Sequence, residues 1–276
     1  MIGLRLLLMT VFAVSGGSPH AEENTPDSPL RNPKQGGIYV VAHRGAHNGI
    51  PENSLAAYAK AIELGADFVE IDVRATKDGK LVSIHNDRVD AYVEGASGRV
   101  RDFTLKELRE FDIGSRVGPQ WKGTQVPTLD EIFTLCKGKC GIYLDLKESA
   151  TIFDLAKKVE KYGMEHDVLW YGPIYAMREL KKLKERHPWC ILMPDPIQEK
   201  GIPLVVKRLH PRVIAATWDR YSKSFVDACH AADAIVIVDE SDPSCWEDAI
   251  EWGSDGIQTN HPAKLIALLK ARDAGK

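Results

Sequence analysis

Three carboxylates lie inside apolar segments of this chain, where a buried strand would normally carry apolar side chains. Glu70 and Asp72 are two residues apart in one segment, and Asp145 stands two residues before Lys147 in another. Side chains two apart on a strand share a face, and an unpaired carboxylate in a protein interior costs several kcal/mol. Lys147 and Arg44 can neutralise only part of the charge of these three carboxylates. A divalent cation would neutralise the remaining negative charge. Ligands that are all oxygen indicate a hard ion, Mg²⁺ or Ca²⁺.

Two histidines and an arginine stand where neighbouring apolar segments end. His43 and Arg44 follow Val-Val-Ala, and His85 follows Leu-Val-Ser-Ile. One imidazole would take a proton from an attacking hydroxyl or water, and the other would give a proton to the leaving alkoxide. The guanidinium and the metal would stabilise the negative charge of a phosphoryl-transfer transition state. Because such a pair works best with one imidazole neutral and one protonated, activity should peak near neutral pH.

Each of these residues also has a purely structural interpretation. A single histidine at a strand end is most often a hydrogen-bonded structural residue. The carboxylates of 68–73 could be salt-bridged to Arg74 or Lys77, and Asn53 or Ser54 is first of all a helix cap. The recurrence of polar residues at the same place on neighbouring segments favours the functional interpretation.

The elements that must position these residues alternate along the chain. Short apolar runs, mostly rich in Val and Ile as in strands buried on both faces, alternate with amphipathic helical patterns. The runs cover 38–42, 68–73, 81–84, 142–146, 168–171, 190–193, 213–216, 235–238 and 256–258. Such alternation predicts an α/β fold with a parallel sheet, and nearly eight repeats indicate a (β/α)8 TIM barrel. In that fold the active site lies at the carboxyl ends of the strands.

Two places break this alternation. Only a Thr-Lys-Asp-Gly turn region separates 68–73 from 81–84, so these strands form a hairpin, or the chain returns extended and one helix is absent. Residues 86–126 contain no clear strand and one short helix that Thr104 can cap. We therefore expect a small insertion after the third strand, over one end of the barrel. One of the nine runs should lie outside the barrel, and 213–216 is the candidate.

The first residues are typical of an export signal. Arg5 precedes the apolar run 6–14, small residues follow, and the pattern predicts a cleaved signal peptide over 1–21. The run is too short to span a bilayer comfortably, although an uncleaved anchor is the alternative. Residues 22–36 are polar and Pro-rich, which predicts a disordered linker before a barrel over 37–276. We therefore expect a periplasmic or secreted protein.

The amino-acid composition and the cysteine count narrow the classes of function that this chain could have. The net charge is −3 and no block of Lys and Arg stands out, so nucleic-acid binding is not expected. Five cysteines leave at least one free thiol in an exported chain. Cys136 and Cys140 are either bridged or two small buried residues, and we favour a structural role for all five.

One long stretch of the sequence resembles the opening of the glycerophosphodiester phosphodiesterase family: AHRGAHNGIPENSLAAYAKAIELGADFVEIDVRATKDGKLVSIHND. The matching elements are His-Arg-Gly, Pro-Glu-Asn, Glu-x-Asp-Val, Thr-x-Asp-Gly and the terminal His. Further segments resemble its insertion and the following helix (DFTLKELREFDIGS, VPTLDEIF), its fourth strand (GIYLDLK) and its last strand (GSDGIQTNHP). The resemblance is nearly continuous over 38–147 and thin over 150–250.

The resemblance implies a TIM barrel that hydrolyses a glycerophosphodiester to sn-glycerol 3-phosphate and an alcohol, using a divalent cation. It assigns the acid/base pair to His43 and His85, and the metal ligands to Glu70, Asp72 and Asp145. It assigns substrate binding to Arg44, Lys147 and Glu52, where Arg44 and Lys147 would contact the phosphate and Glu52 would support the site. In this family the glycerol hydroxyl can itself attack, giving a cyclic phosphate that water then opens.

The sequence departs from the family pattern in four places. Asn86 follows the second histidine where Asp is usual, Asp145 replaces Glu, and Asn260 ends the last strand where Asp is commoner. IVIVDES stands where a Trp-Thr-Val-Asn strand is usual. The catalytic half is therefore intact, while the part that should shape the alcohol pocket differs.

Several alternatives stay open at this point. A lysophospholipase D or sphingomyelinase D-like enzyme, acting on lipids at a membrane surface, would be favoured by an exposed apolar rim on the insertion. A non-catalytic barrel that binds phosphodiesters or polyols would not need both His43 and His85. Trp218, Tyr221 and Trp246 either line a choline-like pocket by cation–π contact or serve as packing or surface aromatics. The oligomeric state is not set by the sequence.

Overall fold

The computed structural model describes residues 30–148 and 151–275. The predicted signal peptide and residues 22–29 of the predicted linker lie outside the described residues. Within the rest of that linker, the Lys34 backbone N–H donates to the Asp67 carboxylate at 2.8 Å, and the Lys34 ammonium donates to the Ala66 carbonyl at 2.7 Å. The same Asp67 carboxylate accepts from the Val40 N–H at 2.8 Å, so these residues are tied to the start of the first strand.

The strands of the described chain form one sheet that curls into a nearly closed barrel. They are β1 (Tyr39–Ala42), β2 (Phe68–Ala75), β3 (Leu81–Ser83), β4 (Gly141–Leu146), β5 (Val168–Pro173), β6 (Ile191–Asp195), β7 (Val213–Thr217), β8 (Ile235–Asp239) and β9 (Gly256–Thr259). The hydrogen-bonded order is β6-β5-β4-β2-β1-β9-β8-β7, all parallel, and β6 lies next to β7 where the ring closes. The predicted TIM barrel is confirmed.

The strand outside the barrel is β3, so the prediction that residues 213–216 lie outside it is wrong. β3 pairs only with β2, antiparallel, in register Val73 to Ser83. The connection between β2 and β3 is too short for a parallel crossover, and the chain therefore turns back as a hairpin. β7 instead pairs along its whole length with β8.

Helices cover the outside of the barrel. They are α1 (Leu55–Leu64), α2 (Leu105–Leu108), α3 (Leu129–Cys136), α4 (Ile152–Tyr162), α5 (Met177–Arg186), α6 (Ile202–Leu209), α7 (Lys223–His230), α8 (Trp246–Glu251) and α9 (Pro262–Ala274). Helix α2 belongs to the insertion, and α3 returns the chain from the insertion to β4. The crossover between β2 and β4 is therefore long but complete. No helix of the two described ranges has the length and apolarity needed to cross a bilayer.

The insertion after β3 has a small core of its own. Thr104 caps α2 with a capping box to Glu107, as the sequence predicted for the start of this helix. Buried side chains of the insertion pack together with Val82 and Ile84 at the end of β3: Val89, Tyr92, Val100, Leu108, Ile113 and Val126. The Trp121 indole donates to the Gly49 carbonyl at 2.8 Å, which ties the insertion to the loop after β1. The insertion is therefore locally folded next to the mouth of the barrel.

The five cysteines are all free thiols. Cys136 and Cys140 are buried and not bridged, and the Cys140 thiol donates to the Asp67 carbonyl at 3.2 Å. Burial raises the pKa of the Cys136 thiol to about 12, so it stays protonated and unreactive at neutral pH.

The loop between β1 and α1 needs a glycine at position 45. Gly45 has φ +83°, and a Cβ there would lie 2.7 Å from the Ala57 carbonyl carbon and 2.9 Å from its oxygen. The loop can thus lie directly against the first turn of α1, and the Ala46 N–H donates to the Ala57 carbonyl at 2.9 Å. This contact fixes the backbone that carries His43 and Arg44.

We predict that Gly45→Ala destabilises the fold by about 3 kcal/mol, since it adds a backbone clash to the cost of a left-handed conformation. The matched control is Gly49→Ala in the same loop, where φ is +72° but no atom lies within 4 Å of the added Cβ. That control should cost only about 1 kcal/mol. Urea unfolding of both variants measures the difference, and equal losses would contradict the close-contact explanation.

Candidate active site

A cavity opens at the carboxyl ends of the barrel strands. Its volume is about 250 Å³. It is lined by His43, Arg44, Glu70, His85, Tyr143, Asp145, Lys147, Tyr171, Asp195, Ala215, Ala216, Thr217, Ile237, Asp239 and Gln258. Six of the eight predicted site residues line it directly. Asp72 and Glu52 lie behind this lining, where they contact Arg44.

The three predicted metal ligands converge because of strand register. Asp72 on β2 is the direct Cα partner of Asp145 on β4, and Glu70 points the same way two residues earlier. One oxygen from each carboxylate lies within 4.8 Å of the others. Glu70 and Asp72 are only 2% and 1% exposed. Among the residues that the structure describes, this is the group that could hold a metal ion.

The burial of these carboxylates changes their proton affinity. Desolvation, and then the charges of Asp72 and Asp145, raise the pKa of Glu70 well above its usual range. Desolvation likewise raises the pKa of Asp145 against the opposing charge of Lys147. The pKa of Asp72 is lowered, because Lys147 and the Asn53 amide more than offset its desolvation. Two of the three carboxylates are therefore harder to ionise than usual, because their neighbours do not fully offset the cost of burying their charges.

The donor set fits a divalent cation. Two oxygens bound to one Ca²⁺ at about 2.3–2.6 Å can be at most about 5 Å apart, and these carboxylates meet that limit. No Lys or Arg side-chain nitrogen of the described residues lies within 4.0 Å of the Glu70 carboxylate, which leaves it the least neutralised of the three. A hard cation held by Glu70, Asp72 and Asp145 would remove this deficit.

Two fixed cations flank the cluster. The Lys147 ammonium bridges Asp145 at 2.5 Å and Asp72 at 2.9 Å. The Arg44 backbone N–H donates to Glu70 at 2.7 Å, while its guanidinium lies 3.5 Å from Asp72. Arg44 has φ 53°, an uncommon conformation for a side-chain-bearing residue, and it turns the chain so that both groups face the carboxylates. Both cations also line the cavity, where they can meet an anionic ligand.

Glu52 positions the arginine rather than lining the cavity. Its carboxylate accepts from the Arg44 guanidinium at 3.2 Å and lies 3.6 Å from Arg116 of the insertion. The family resemblance grouped Glu52 with the substrate-binding residues, in a supporting role. The structure places its carboxylate behind Arg44, where it holds the guanidinium and does not line the cavity.

Asn53 is not the cap of α1, the role that its position in the sequence suggested, but a buried residue that contacts Asp72. The cap of α1 is Ser54, whose hydroxyl accepts from the Ala57 N–H at 3.1 Å. Asn53 is 1% exposed, and its amide donates to Asp72 at 2.7 Å while its oxygen accepts from Tyr58 at 2.8 Å. Its φ of 52° is one that Asn tolerates well. Asn53 therefore fixes the orientation of the Asp72 carboxylate.

His43 is oriented by a residue from the other end of the chain. Its Nδ1 lies 2.7 Å from the Asn260 oxygen, 217 residues away, and its Nε2 lies 4.0 Å from Glu70. An amide oxygen can only accept, so Nδ1 carries the proton and the neutral ring leaves Nε2 free toward the carboxylates. Burial lowers the pKa of His43, and Asp239 opposes that shift. Burial thus favours the neutral form of this imidazole.

His85 is held in a parallel way. Its Nδ1 lies 2.9 Å from the side-chain oxygen of Asn86, the residue that departs from the family pattern. Its backbone carbonyl accepts from the Arg74 guanidinium at 3.0 and 2.6 Å. Since an asparagine oxygen again takes the Nδ1 position, Nε2 is the nitrogen available to a ligand.

Sequence reasoning missed the far side of the cavity. Asp195 and Asp239 end β6 and β8, which is the same signal that identified the residues on the early strands. The three aromatic residues proposed for a choline-like pocket do not line the cavity: Trp246 is 2% exposed in the core, Tyr221 is 7% exposed, and Trp218 stacks on Trp252. They are packing residues.

Comparison with known proteins places this site in a family. Residues 43–264 match the sequence profile of the glycerophosphoryl diester phosphodiesterase family. A glycerophosphodiester phosphodiesterase of Caldanaerobacter subterraneus is 32% identical over 244 residues, covering 84% of this chain and 97% of that one. Another, from Bacillus altitudinis, is 26% identical and covers 83% and 97%.

Comparison with solved structures points to the same family. The glycerophosphodiester phosphodiesterase of Agrobacterium tumefaciens superposes with a TM-score of 0.75 at 27% identity, over 83% of this chain and 99% of that one. An Oleispira antarctica phosphodiesterase, solved in complex with sn-glycerol-3-phosphate, shares the fold with a TM-score of 0.73 at 23% identity, over 84% and 96%. The barrel, the site at its mouth and these matches lead to one conclusion: the chain belongs to the glycerophosphoryl diester phosphodiesterase family.

Proposed function

We propose that this protein hydrolyses glycerophosphodiesters to sn-glycerol 3-phosphate and an alcohol, with His43 and His85 as the acid/base pair. The observation that carries the proposal is that both imidazoles, two cationic side chains and the carboxylate cluster line or border one cavity of about 250 Å³. The names of the relatives and the product bound by the Oleispira antarctica enzyme support the substrate class.

A divalent cation, Ca²⁺ or Mg²⁺, would be held by Glu70, Asp72 and Asp145. When bound, it would act as a Lewis acid on the phosphoryl oxygens. The carboxylates keep their geometry through partners on the protein: Asp72 through Asn53 and Lys147, Asp145 through Lys147, and Glu70 through the Arg44 N–H.

Arg44 and Lys147 would bind the phosphate oxygens. Burial works against the charge of each, yet Asp72 with Glu52 raises the pKa of Arg44, and Asp145 with Asp72 raises that of Lys147. Both side chains thus stay charged throughout the working pH range. Their hydrogen bonds to the phosphate would strengthen as negative charge develops in the transition state.

The two imidazoles would move the protons. His43 and His85 each present Nε2, because an asparagine oxygen accepts a hydrogen bond from the Nδ1–H of each ring. One would accept the proton of the attacking glycerol hydroxyl or water, and the other would protonate the alkoxide of the leaving alcohol. If the glycerol hydroxyl attacks first, the cyclic phosphate formed would be opened by water with the two roles exchanged.

The lipid-cleaving alternative gains no support from the described surface. The large apolar side chains that are exposed in the described ranges are Leu55, Tyr175 and Leu204, and none belongs to the insertion. An apolar rim for a membrane surface is therefore missing from the described part of the insertion. We keep export, by a signal peptide over residues 1–21 to the periplasm or the exterior, as part of the proposal on the strength of the sequence pattern.

We predict that Ca²⁺ or Mg²⁺ raises the thermal unfolding temperature of the chelator-treated protein, because binding to the folded state alone stabilises it. Glu70→Gln should lose this rise, since it removes one ligand charge. The rise should also shrink at pH 5.5, because the raised pKa of Glu70 lets protons compete with the cation for its carboxylate.

Chelation should abolish release of glycerol 3-phosphate from glycerophosphocholine, and activity that survives thorough metal removal would refute the metal role.

His43→Ala and His85→Ala should each lower kcat/KM on glycerophosphocholine by about 10²–10⁴-fold, the usual contribution of one acid/base group. Their circular dichroism and unfolding midpoints should stay close to the wild type. The control is His230→Ala, which removes an imidazole that pairs with Asp255 away from the cavity. Near-normal turnover in either test variant would remove that histidine from the mechanism.

Asn260→Asp should move one limb of the pH profile of kcat/KM upward by about one unit. A carboxylate at 2.7 Å from Nδ1 favours the imidazolium and so raises the pKa of His43. If the acidic limb of the profile moves, His43 is the base. If the alkaline limb moves, His43 is the acid. Asn86→Asp should move the opposite limb through His85. Profiles in which neither limb moves would exclude these histidines as the titrating pair.

A further inference from the structure

His47 lies in the loop between β1 and α1, and the proposed chemistry gives it no role. It does not line the cavity, but its ring centroid is 6.4 Å from that of His43, with the two rings edge to face. The His47 backbone N–H donates to the Gly45 carbonyl at 3.1 Å, and the His47 carbonyl accepts from the Ile50 N–H at 3.2 Å. The loop that packs against α1 at Gly45 thus also holds the backbone of this imidazole.

His47 and His43 share one hydrogen-bond acceptor. The Nε2 of His47 lies 3.0 Å from the Asn260 Oδ1, and the Nδ1 of His43 lies 2.7 Å from the same oxygen. A carboxamide oxygen has two lone pairs and no proton, so it can accept from both rings and donate to neither. The Nε2 of His47 therefore carries a proton, as the Nδ1 of His43 does. The two hydrogen bonds use the full accepting capacity of this oxygen.

The amide of Asn260 needs its orientation to be fixed. An asparagine side chain presents an acceptor and a donor side by side, and a half-turn about its Cβ–Cγ bond exchanges the two. The Asn260 backbone N–H donates to the Ser241 hydroxyl at 3.3 Å, which holds the main chain but not this rotation. Among the residues that the structure describes, no hydrogen bond holds the amide Nδ2. The orientation therefore depends on the donors that meet the oxygen.

This orientation matters because it sets the tautomer of His43. With the amide oxygen toward His43, the proton lies on Nδ1, and Nε2 is a free acceptor 4.0 Å from Glu70. With the amide nitrogen in that place, Nδ1 would have to accept, and the neutral ring would carry its proton on Nε2. As a base, His43 would then have no free Nε2. As an acid, its imidazolium Nδ1–H would meet another N–H donor.

We propose that His47 is a positioning residue for the proton transfer: by donating to Asn260 Oδ1, it holds the amide in the orientation that keeps the proton of His43 on Nδ1. The inference rests on the proposed phosphodiesterase function and adds a residue that acts through Asn260 without touching the substrate. An aspartate at position 260 would need no such help, because both oxygens of a carboxylate accept and neither orientation is wrong.

A double-mutant cycle between His47 and Asn260 tests this role, with kcat/KM on glycerophosphocholine measured at the pH optimum of each variant. His47→Leu should lower kcat/KM about fivefold, the usual effect of one net hydrogen bond. The loss should fall on kcat and leave KM unchanged, since His47 does not line the cavity. In an Asn260→Asp background, His47→Leu should change kcat/KM by less than about twofold, the usual limit of additivity.

Two further variants control the cycle. His47→Gln keeps an N–H donor at about the reach of the imidazole Nε2, and it should restore kcat to near the wild-type value. Asn48→Leu places the same apolar side chain at the next, exposed position of the loop, and it should leave kcat/KM unchanged. Urea unfolding of each variant checks that the loop and the barrel remain folded.

The tautomer of His43 can be measured without any activity. In protein labelled with ¹⁵N-histidine, long-range proton–nitrogen correlation spectra show which ring nitrogen carries the proton. The His43 signals are identified by their absence from His43→Ala. The wild type should carry the proton on Nδ1, and His47→Leu should move both His43 nitrogen shifts toward the other tautomer.

The outcomes separate this inference from the proposed function. Normal activity in His47→Leu, an equal loss in both backgrounds, or an unchanged His43 tautomer would overturn the inference. A His47→Gln variant as slow as His47→Leu would also overturn it, since the donor would then not be what matters. A wild type that releases no glycerol 3-phosphate would instead refute the proposed function, while the tautomer measurement would still test the effect of His47 on His43.

Discussion

The mouth of this barrel is organised around a surplus of buried negative charge. Glu70, Asp72 and Asp145 are brought within 4.8 Å of one another by the parallel register of β2 and β4. Bringing like charges together in a buried place is costly, and the raised pKa of Glu70 expresses that cost. Much of the surrounding structure offsets it: the Lys147 bridge, the Arg44 backbone in its left-handed conformation, and the Asn53 amide on Asp72.

The same charge also explains why the loop after β1 is built as it is. A left-handed Arg44, a glycine at 45 against α1 and a left-handed Asn53 are each unfavourable or restrictive alone. Together they let one short loop present an N–H to Glu70, a guanidinium to Asp72 and an amide to Asp72. The local strain is tolerated because these contacts, and the packing of the loop on α1, depend on it.

The two halves of the barrel supply different chemistry. Strands β1 to β4 and the residues that follow them carry the cations, the carboxylate cluster and the two imidazoles, while β6 to β9 line the cavity with Asp195, Thr217, Asp239 and Gln258. His43 joins the halves, because its Nε2 lies 4.0 Å from Glu70 on β2 while its Nδ1 is held by Asn260, which follows β9.

The sequence by itself determined the features that depend on short-range geometry. The period of two along a strand put Glu70 with Asp72 and Asp145 with Lys147, the alternation of runs indicated the barrel, and Thr104 marked a helix start. The prediction that three carboxylates would converge in a group able to hold a hard cation followed from residue type and spacing. These inferences succeed because the covalent chain sets side-chain direction over a few residues.

Only the tertiary structure decided which strands close the ring and which distant residues meet. A run of three to five apolar residues does not say whether it pairs in a barrel, so β3 and β7 were exchanged in the sequence interpretation. Asn260 on His43, Asn53 on Asp72 and Gln258 beside Asp239 are contacts set by ring closure and register. Glu52 sits behind Arg44 for the same reason: the depth of a side chain at the mouth depends on every element packed around it.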